Sequence, residues 1–432
     1  MLSRSQFVKA AATAVALGPV ALPLTACAQA QAQTQARGSG LGSRRIVVAS
    51  DPHYISPRLS DNGAAFASVV TRGDGKVMLH SEDLLDAFVA QVRGERPAAL
   101  VISGDLTFNG ARLSHEDLAA KLAPLLDAGV RVAVLPGNHD VACPYAARFA
   151  GESYEYVDSV GAAEFREIWA PFGCNDALAE DDASLSYAYP LFDDTWLLMV
   201  DCNGCATPGS LAPETLAFCR SVVARAREEG VRVVGVSHQN LLQHCALFKG
   251  GFVMGEAQGL AELYGQEGVS LNLSGHIHIQ HTVQAGPLLE AATSSLAVTP
   301  CQYTQVSLEP DGRYEARCVP VDVESWARSV GSDDPDLLEF SAYAEGFFDN
   351  CTRVQPYGEL VESGLVEAEA HATARAIQVM NRRYFAGRTD LIDWGDPALA
   401  AAFGRTSLEA YLQVVRAEEP CDHTCYGGRI GF

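Results

Sequence analysis

The chain has 432 residues, 48% of them hydrophobic, which is enough to bury more than one core. Its 31 Lys and Arg face 53 Asp and Glu, a formal charge of −22. A surface that acidic repels nucleic-acid backbones, whose binding depends on basic side chains displacing counterions, so no nucleic-acid polymer is expected as a partner.

Residues 1–26 carry only Arg4 and Lys9 as charges, then an apolar run from Ala10, and they end at Leu24-Thr25-Ala26 before Cys27. This layout reads as a secretory signal. Gly18, Pro19 and Pro23 interrupt the run, which falls short of the roughly 20 apolar residues of a transmembrane helix. The Leu-Thr-Ala-Cys ending resembles a bacterial lipobox. That implies cleavage before Cys27, a lipid on its sulfur, and attachment to the outer face of a bacterial cell membrane. Residues 3–9 also resemble a twin-arginine signal with Ser5 in place of the second arginine, which leaves the export route open. The Ala/Gln/Gly/Ser composition of 27–43 reads as a flexible tether with a reach of roughly 20 Å.

Five apolar β-type runs follow, at 45–50, 99–103, 130–135, 231–237 and 269–274. Each leads directly into a polar motif: Asp51-Pro52-His53, Gly104-Asp105, Gly137-Asn138-His139-Asp140, His238, and Gly275-His276-Ile277-His278. A single His after a strand is more often a satisfied residue than a ligand. Seven potential metal donors at five strand ends reverse that expectation, because strand ends in α/β folds converge on one rim where ligand sites collect. The i, i+2 spacing of Asp51/His53 and His276/His278 suggests extended segments whose alternate side chains face one side.

Between the motifs, the chain predicts a loop from 51 to Gly75. A helix is then expected over 81–93, with Leu84, Leu85, Phe88, Val89 and Val92 at helical spacing. The next helix is expected to be capped by Ser114, with Asp117 in capping-box position. Residues 141–185 read as an irregular, aromatic-rich lid, followed by a strand at 195–200 and a helix at 213–227. Glu309-Pro310-Asp311-Gly312-Arg313 predicts a hairpin turn. From 329 the character changes: Val366, Ala370, Thr373, Ile377, Met380 and Tyr384 line one face of a long helix, flanked by helical patterns at 336–348 and 407–415. The expected organisation is a catalytic domain over 44–328 and a helical domain over 329–432. The class is α/β.

The order of the motifs over about residues 45–310 resembles the calcineurin-like metallophosphoesterase superfamily. Ser103-Gly104-Asp105-Leu106-Thr107-Phe108-Asn109-Gly110, followed by Ser114-His115-Glu116-Asp117-Leu118, looks like its class III cyclic-nucleotide phosphodiesterase branch. The resemblance implies a two-sheet β-sandwich flanked by helices and two divalent metal ions, with Mn, Fe or Zn all suited to the donors. By this resemblance Asp105 bridges the ions, Asp51, His53 and His278 complete the first site, and Asn138, His238 and His276 complete the second. His139 would reach the substrate phosphate and Asp140 would orient its imidazole. The reaction implied is hydrolysis of a small phosphodiester by a hydroxide shared between the ions, with a cyclic nucleotide as the first candidate. A phosphomonoesterase, or a non-catalytic binding lipoprotein, are the alternatives.

Departures from relatives narrow the reading. Purple acid phosphatases carry tyrosine where this chain has Phe108, and periplasmic nucleotidases carry glutamate where it has Asp140. No serine elbow or P-loop is present. His80, His115, His244, His281, His371 and His423 have no motif support. Cys202/Cys205 and Cys421/Cys425 each lack a set of four zinc ligands, so disulfides or buried thiols are expected there.

Overall fold

The computed structural model describes residues 44–431. The signal segment, Cys27 and the tether lie outside them. Two sheets face each other. The first has the order β15-β14-β13-β1-β2-β3, and the second β11-β12-β10-β9-β8-β7-β6. In chain order the strands of the first sheet are β1 (Arg45–Ala49), β2 (Ala99–Ile102), β3 (Arg131–Val134), β13 (Gln302–Leu308), β14 (Arg313–Pro320) and β15 (Cys425–Arg429). Those of the second are β6 (Ala179–Glu180), β7 (Tyr187–Phe192), β8 (Thr195–Val200), β9 (Arg232–Ser237), β10 (Leu271–Ser274), β11 (His281–Ala285) and β12 (Leu288–Ala292). The strands β1, β2 and β3 run parallel, as do β8, β9, β10 and β12.

The central strands are apolar on both faces because both faces are covered. Ile46 and Val48 of β1 point between the sheets with Val101, Ala133, Val234, Val236, Leu271 and Leu273. Their neighbours Val47 and Ala49 point outward, against Leu84, Leu85 and Phe88 of helix Ser81–Glu95 and Leu118 and Leu122 of helix Arg112–Asp127. This is the period-two alternation of a strand inside a sandwich. On the opposite face of the second sheet, helices Pro213–Glu229 and Ala257–Glu267 cover Leu198, Val200 and Val233.

Several local expectations need correction. The segment after β1 includes a helix, Ala64–Thr71, which buries Phe66 and Val70 against Phe108 and Phe149. Its β-branched residues hid it from the helical pattern. The helix expected to start after Ser114 begins at Arg112, with Ala111 at the cap. Ser114 is instead buried and accepts the Ser56 amide at 3.1 Å, while Asp117 turns to Arg58 and Ser56. The expected irregular lid contains a hairpin, β4 (Ala147–Ala150) with β5 (Ser153–Tyr156), and a helix, Ala162–Trp169.

Beyond residue 329, helices Phe340–Glu362 and Glu367–Phe385 form an antiparallel pair, with Glu409–Ala417 alongside. These helices pack on the catalytic domain, as expected of a C-terminal domain resting on it. Leu337, Phe340 and Ala344 belong to the same core as Val47 and Phe88, and β15 pairs antiparallel with β14 at the edge of the first sheet. A short Gly-rich strand, Cys-Tyr-Gly-Gly-Arg, carries no alternating signal that would have betrayed it.

Candidate metal centre

The seven expected donors converge at one rim of the sandwich, where β1, β2 and β3 of the first sheet end opposite β9 and β10 of the second. They fall into two groups. In the first, Asp51, His53, Asp105 and His278 bring one ligand atom each to within 4.8 Å of one another, and all four are buried. His53 Nε2 lies 3.1 Å from His278 Nε2 and 3.6 Å from Asp105 Oδ2, and His278 Nε2 lies 3.3 Å from Asp51 Oδ1. In the second group, Asp105, His238 and His276 meet the same criterion. His238 Nε2 is 3.3 Å from Asp105 Oδ1, 3.1 Å from Asn138 Oδ1 and 3.2 Å from His276 Nδ1. Asp105 thus offers one oxygen to each group.

These residues fit divalent ions. Donors that share one ion at about 2.0–2.1 Å stand about 3 Å apart, which is the spacing seen in both groups. Asp51 Oδ1 is buried and meets no backbone or hydroxyl donor, only the imidazole nitrogens of His278 at 3.3 Å and His53 at 3.9 Å, and a buried carboxylate oxygen so placed suits a cation. The field of the carboxylates also favours positive charge. Burial works against a proton on His238, but Asp105 outweighs it and pushes that imidazole up to about 9. Against the same opposition from burial, Asp51 and Asp74 push His278 up to about 9. His276 lacks such a partner, and burial together with the charge of His238 pushes it down to about 4.

The backbone that presents the donors is not extended. Asp51, His53, Asp105, His276 and His278 all have positive φ, at 53°, 46°, 47°, 69° and 60°. The spacing of two residues therefore works through tight left-handed turns, and the alternation expected of an extended segment does not apply. Each non-glycine residue held there costs on the order of 1 kcal/mol, a strain that clusters at functional sites. Backbones must also approach closely. A Cβ on Gly104, whose φ is 108°, would lie 2.6 Å from His238 Nδ1, and one on Gly275 would lie 2.7 Å from Asp51 Oδ2.

His139 sits beside the first group, its ring edge-on to His53 at 4.9 Å. Its Nδ1–H donates to the Phe108 carbonyl at 2.9 Å, which leaves Nε2 facing the centre, 3.9 Å from Asp105 Oδ2. Burial lowers its pKa, against the opposing pull of Asp105.

Asp140 does not orient that imidazole, contrary to expectation. Its carboxylate folds back and accepts the amides of Gly137 (2.7 Å), Leu106 (2.9 Å) and Thr107 (2.8 Å) and the Thr107 hydroxyl (2.9 Å). Three converging amides outcompete a distant imidazole, and Asp140 ties the Asp105 turn to the Asn138 turn.

Other parts of the centre carry no motif. His115 is buried directly behind Asp140: Trp169 Nε1 donates to its Nδ1, and its Nε2–H donates to the Asp140 carbonyl at 3.0 Å. Asp74, in the segment read as loop, lies 3.1 Å from His278 Nδ1. His244, His281 and His423 form a separate buried stack between the second sheet and the C-terminal segment, with His281 3.5 Å from Glu418. Cys202 is a buried thiol 3.0 Å from Gln239 Oε1, Cys205 is a free thiol, and no cysteine enters a metal-sized cluster among the described residues.

The sequence profile of the calcineurin-like phosphoesterases matches residues 44–280, more than half of the chain, and the chain belongs to that family. The profile of the C-terminal domain of cyclic nucleotide phosphodiesterase matches residues 322–394. Among solved structures, the chain is similar to a dimetal phosphatase from Danio rerio, at 15% identity and a TM-score of 0.48 over 64% of this chain and 96% of that one. It is also similar to a purple acid phosphatase from yellow lupin, Lupinus luteus, at 13% identity and a TM-score of 0.41 over 65% of this chain and 52% of that one. No curated protein matches.

Proposed function

We propose that this protein is a two-metal hydrolase of a small phosphodiester, with a cyclic nucleotide as the first candidate. The observation that carries the reading is Asp105, a buried carboxylate that presents Oδ1 to one donor group and Oδ2 to the other. Asp51, His53 and His278 would hold the first ion with Asp105, and Asn138, His238 and His276 would hold the second. When bound, such a pair of ions supplies charge neutralisation for the ester oxygens and an activated water as nucleophile. His139 directs Nε2 at the same space. With Nδ1–H committed to the Phe108 carbonyl, Nε2 carries a proton only as imidazolium, and in that form it can give a proton or a hydrogen bond to an ester oxygen. Asp140 keeps the two ligand-bearing turns in register.

The match of the C-terminal segment to a cyclic nucleotide phosphodiesterase domain supports a diester over a monoester. A monoesterase would use the same ions and differ in its pocket. Turnover of bis(p-nitrophenyl) phosphate and of p-nitrophenyl phosphate, measured with Mn supplied, separates the two. The diester is expected to react at least tenfold faster; the opposite preference would make the enzyme a monoesterase, and no turnover of either would leave a binding protein.

We also propose that the enzyme is exported and held at the outer face of a bacterial membrane by a lipid on Cys27. The Leu-Thr-Ala-Cys sequence supports this, and no helix of the described residues is long and apolar enough to cross a membrane. Labelled fatty acid is expected on the wild-type protein and not on Cys27→Ser. Equal labelling of both would remove the lipobox reading.

A further inference from the structure

Each imidazole of the centre has a second ring nitrogen, and what that nitrogen meets decides how firmly the first one points. His238 Nδ1 meets the Ser103 carbonyl at 2.9 Å, His276 Nε2 the Gly251 carbonyl at 2.8 Å, and His139 Nδ1 the Phe108 carbonyl. His278 differs. Its Nδ1 meets a carboxylate, Asp74 Oδ2, at 3.1 Å, and the same oxygen lies 3.0 Å from Lys76 Nζ.

The segment that carries Asp74 and Lys76 is fastened from two directions. On the catalytic side the Val77 amide donates to the Ala297 carbonyl at 2.8 Å, and Lys76 bridges to Val298. On the other side Gly75, at φ 90°, lies so close to Phe348 of helix Phe340–Glu362 that a Cβ would collide with the ring. Phe348 is fully buried and packs edge-on against Phe385 at 5.1 Å. The Phe385 carbonyl in turn accepts the amide of Gln280, two residues beyond His278, at 3.0 Å. The C-terminal helices therefore grip both the segment that ends in His278 and the loop that holds its imidazole from behind.

We infer that Asp74 is a positioning residue of the first metal site, acting through His278, and that the C-terminal helices hold it in place. The carboxylate keeps the proton of His278 on Nδ1, so that the Nε2 lone pair faces Asp51 and His53, and it raises the basicity of that nitrogen toward a metal ion. Lys76 balances the charge of Asp74 and limits its swing. A carboxylate behind a ligating histidine is typically worth 10- to 100-fold in metal affinity. This role rests on the two-metal reading, since His278 must be a ligand for Asp74 to matter. It also gives the C-terminal segment a task at the centre without a single donor of its own.

The test is Mn binding to the purified full chain, measured by calorimetric titration with a chelator competitor. Wild type is expected to bind two ions. Asp74→Ala should weaken one of the two by roughly 10- to 100-fold and leave the other unchanged. Asp74→Asn, which keeps the shape and a hydrogen-bond acceptor without the charge, should weaken the same site by less; its side chain is about half exposed, so folding is not at risk. Phe348→Leu should weaken that site too, by a smaller factor. Wild-type affinity at both sites in Asp74→Ala would overturn the inference, as would equal weakening of both, because Asp74 touches only His278 among the donors. Wild-type affinity in Phe348→Leu would overturn the part assigned to the C-terminal helices. A wild-type chain that binds no metal would defeat the two-metal reading itself, a different result from either.

Discussion

Asp105→Asn is expected to remove turnover of a phosphodiester to background and to lower bound metal from the two ions per chain expected of the wild type to one or none. The asparagine keeps the shape of the side chain, so the loss reports charge. Asp105 is buried and its Oδ1 also accepts the His139 backbone amide at 2.8 Å, which fixes the carboxylate between the two groups. An amide in that place offers one neutral oxygen and one NH2 group, and the NH2 would point at either His53 or His238. It also takes away the charge that holds His238 up, so the second group loses its attraction for a cation along with its donor. Activity assays paired with metal analysis check this. Full activity with two ions bound in Asp105→Asn would end the assignment of Asp105 as the shared ligand.

His139→Ala should behave in the opposite way with respect to metal. It keeps close to two ions per chain, while kcat falls by roughly 10² to 10⁴ for a diester with an alkoxide leaving group, the range of a positioned acid. The geometry explains the sign of its pH dependence. Because Nδ1–H is committed to the Phe108 carbonyl, assistance from Nε2 needs the imidazolium, which is present at low pH and lost as pH rises through the lowered pKa. The leaving group separates two ways of helping. A nitrophenolate needs little protonation, so its loss in His139→Ala should be much smaller than for an alkoxide. An equal loss for both would mean that His139 stabilises charge on the phosphoryl oxygens instead. Metal loss from the variant would place His139 among the ligands.

The parts of this molecule that could be read from its residues are those with a local signature. Strands β1, β2, β3, β9 and β10 are short apolar runs broken by polar motifs, and the donors follow because chemistry-bearing residues at strand ends stand out against Val, Ile and Leu. Helix Glu367–Phe385 was legible from its stripe of Ala370, Thr373, Ile377, Met380 and Tyr384, all buried. The features that escaped depend on distant partners. Asp74 is one carboxylate in a polar stretch, and nothing near it in sequence points to His278. Asp140 looked like an imidazole partner because it follows His139, but the amides it meets come from residues 106 and 107 as well as its own turn. The left-handed conformations of Asp51 and His276 were not legible either: Asp and His tolerate positive φ better than most residues, but only a small share of them adopt it, so residue type alone does not mark the turn.

The split of donors between the two sheets has a mechanical consequence. Asp51, His53, Asp105 and Asn138 follow strands of the first sheet, whereas His238, His276 and His278 follow strands of the second. Each donor group takes members from both. An ion held by either group would therefore clasp one layer to the other at the rim, and sliding one sheet past its neighbour would tear both groups at once. Ions that bind the folded chain but not the unfolded one add to its stability with the logarithm of the ratio of their concentration to their dissociation constant. The rigidity of this sandwich would thus be set in part by its surroundings: where metal is scarce, the two layers would lose their clasp together with any chemistry the ions support.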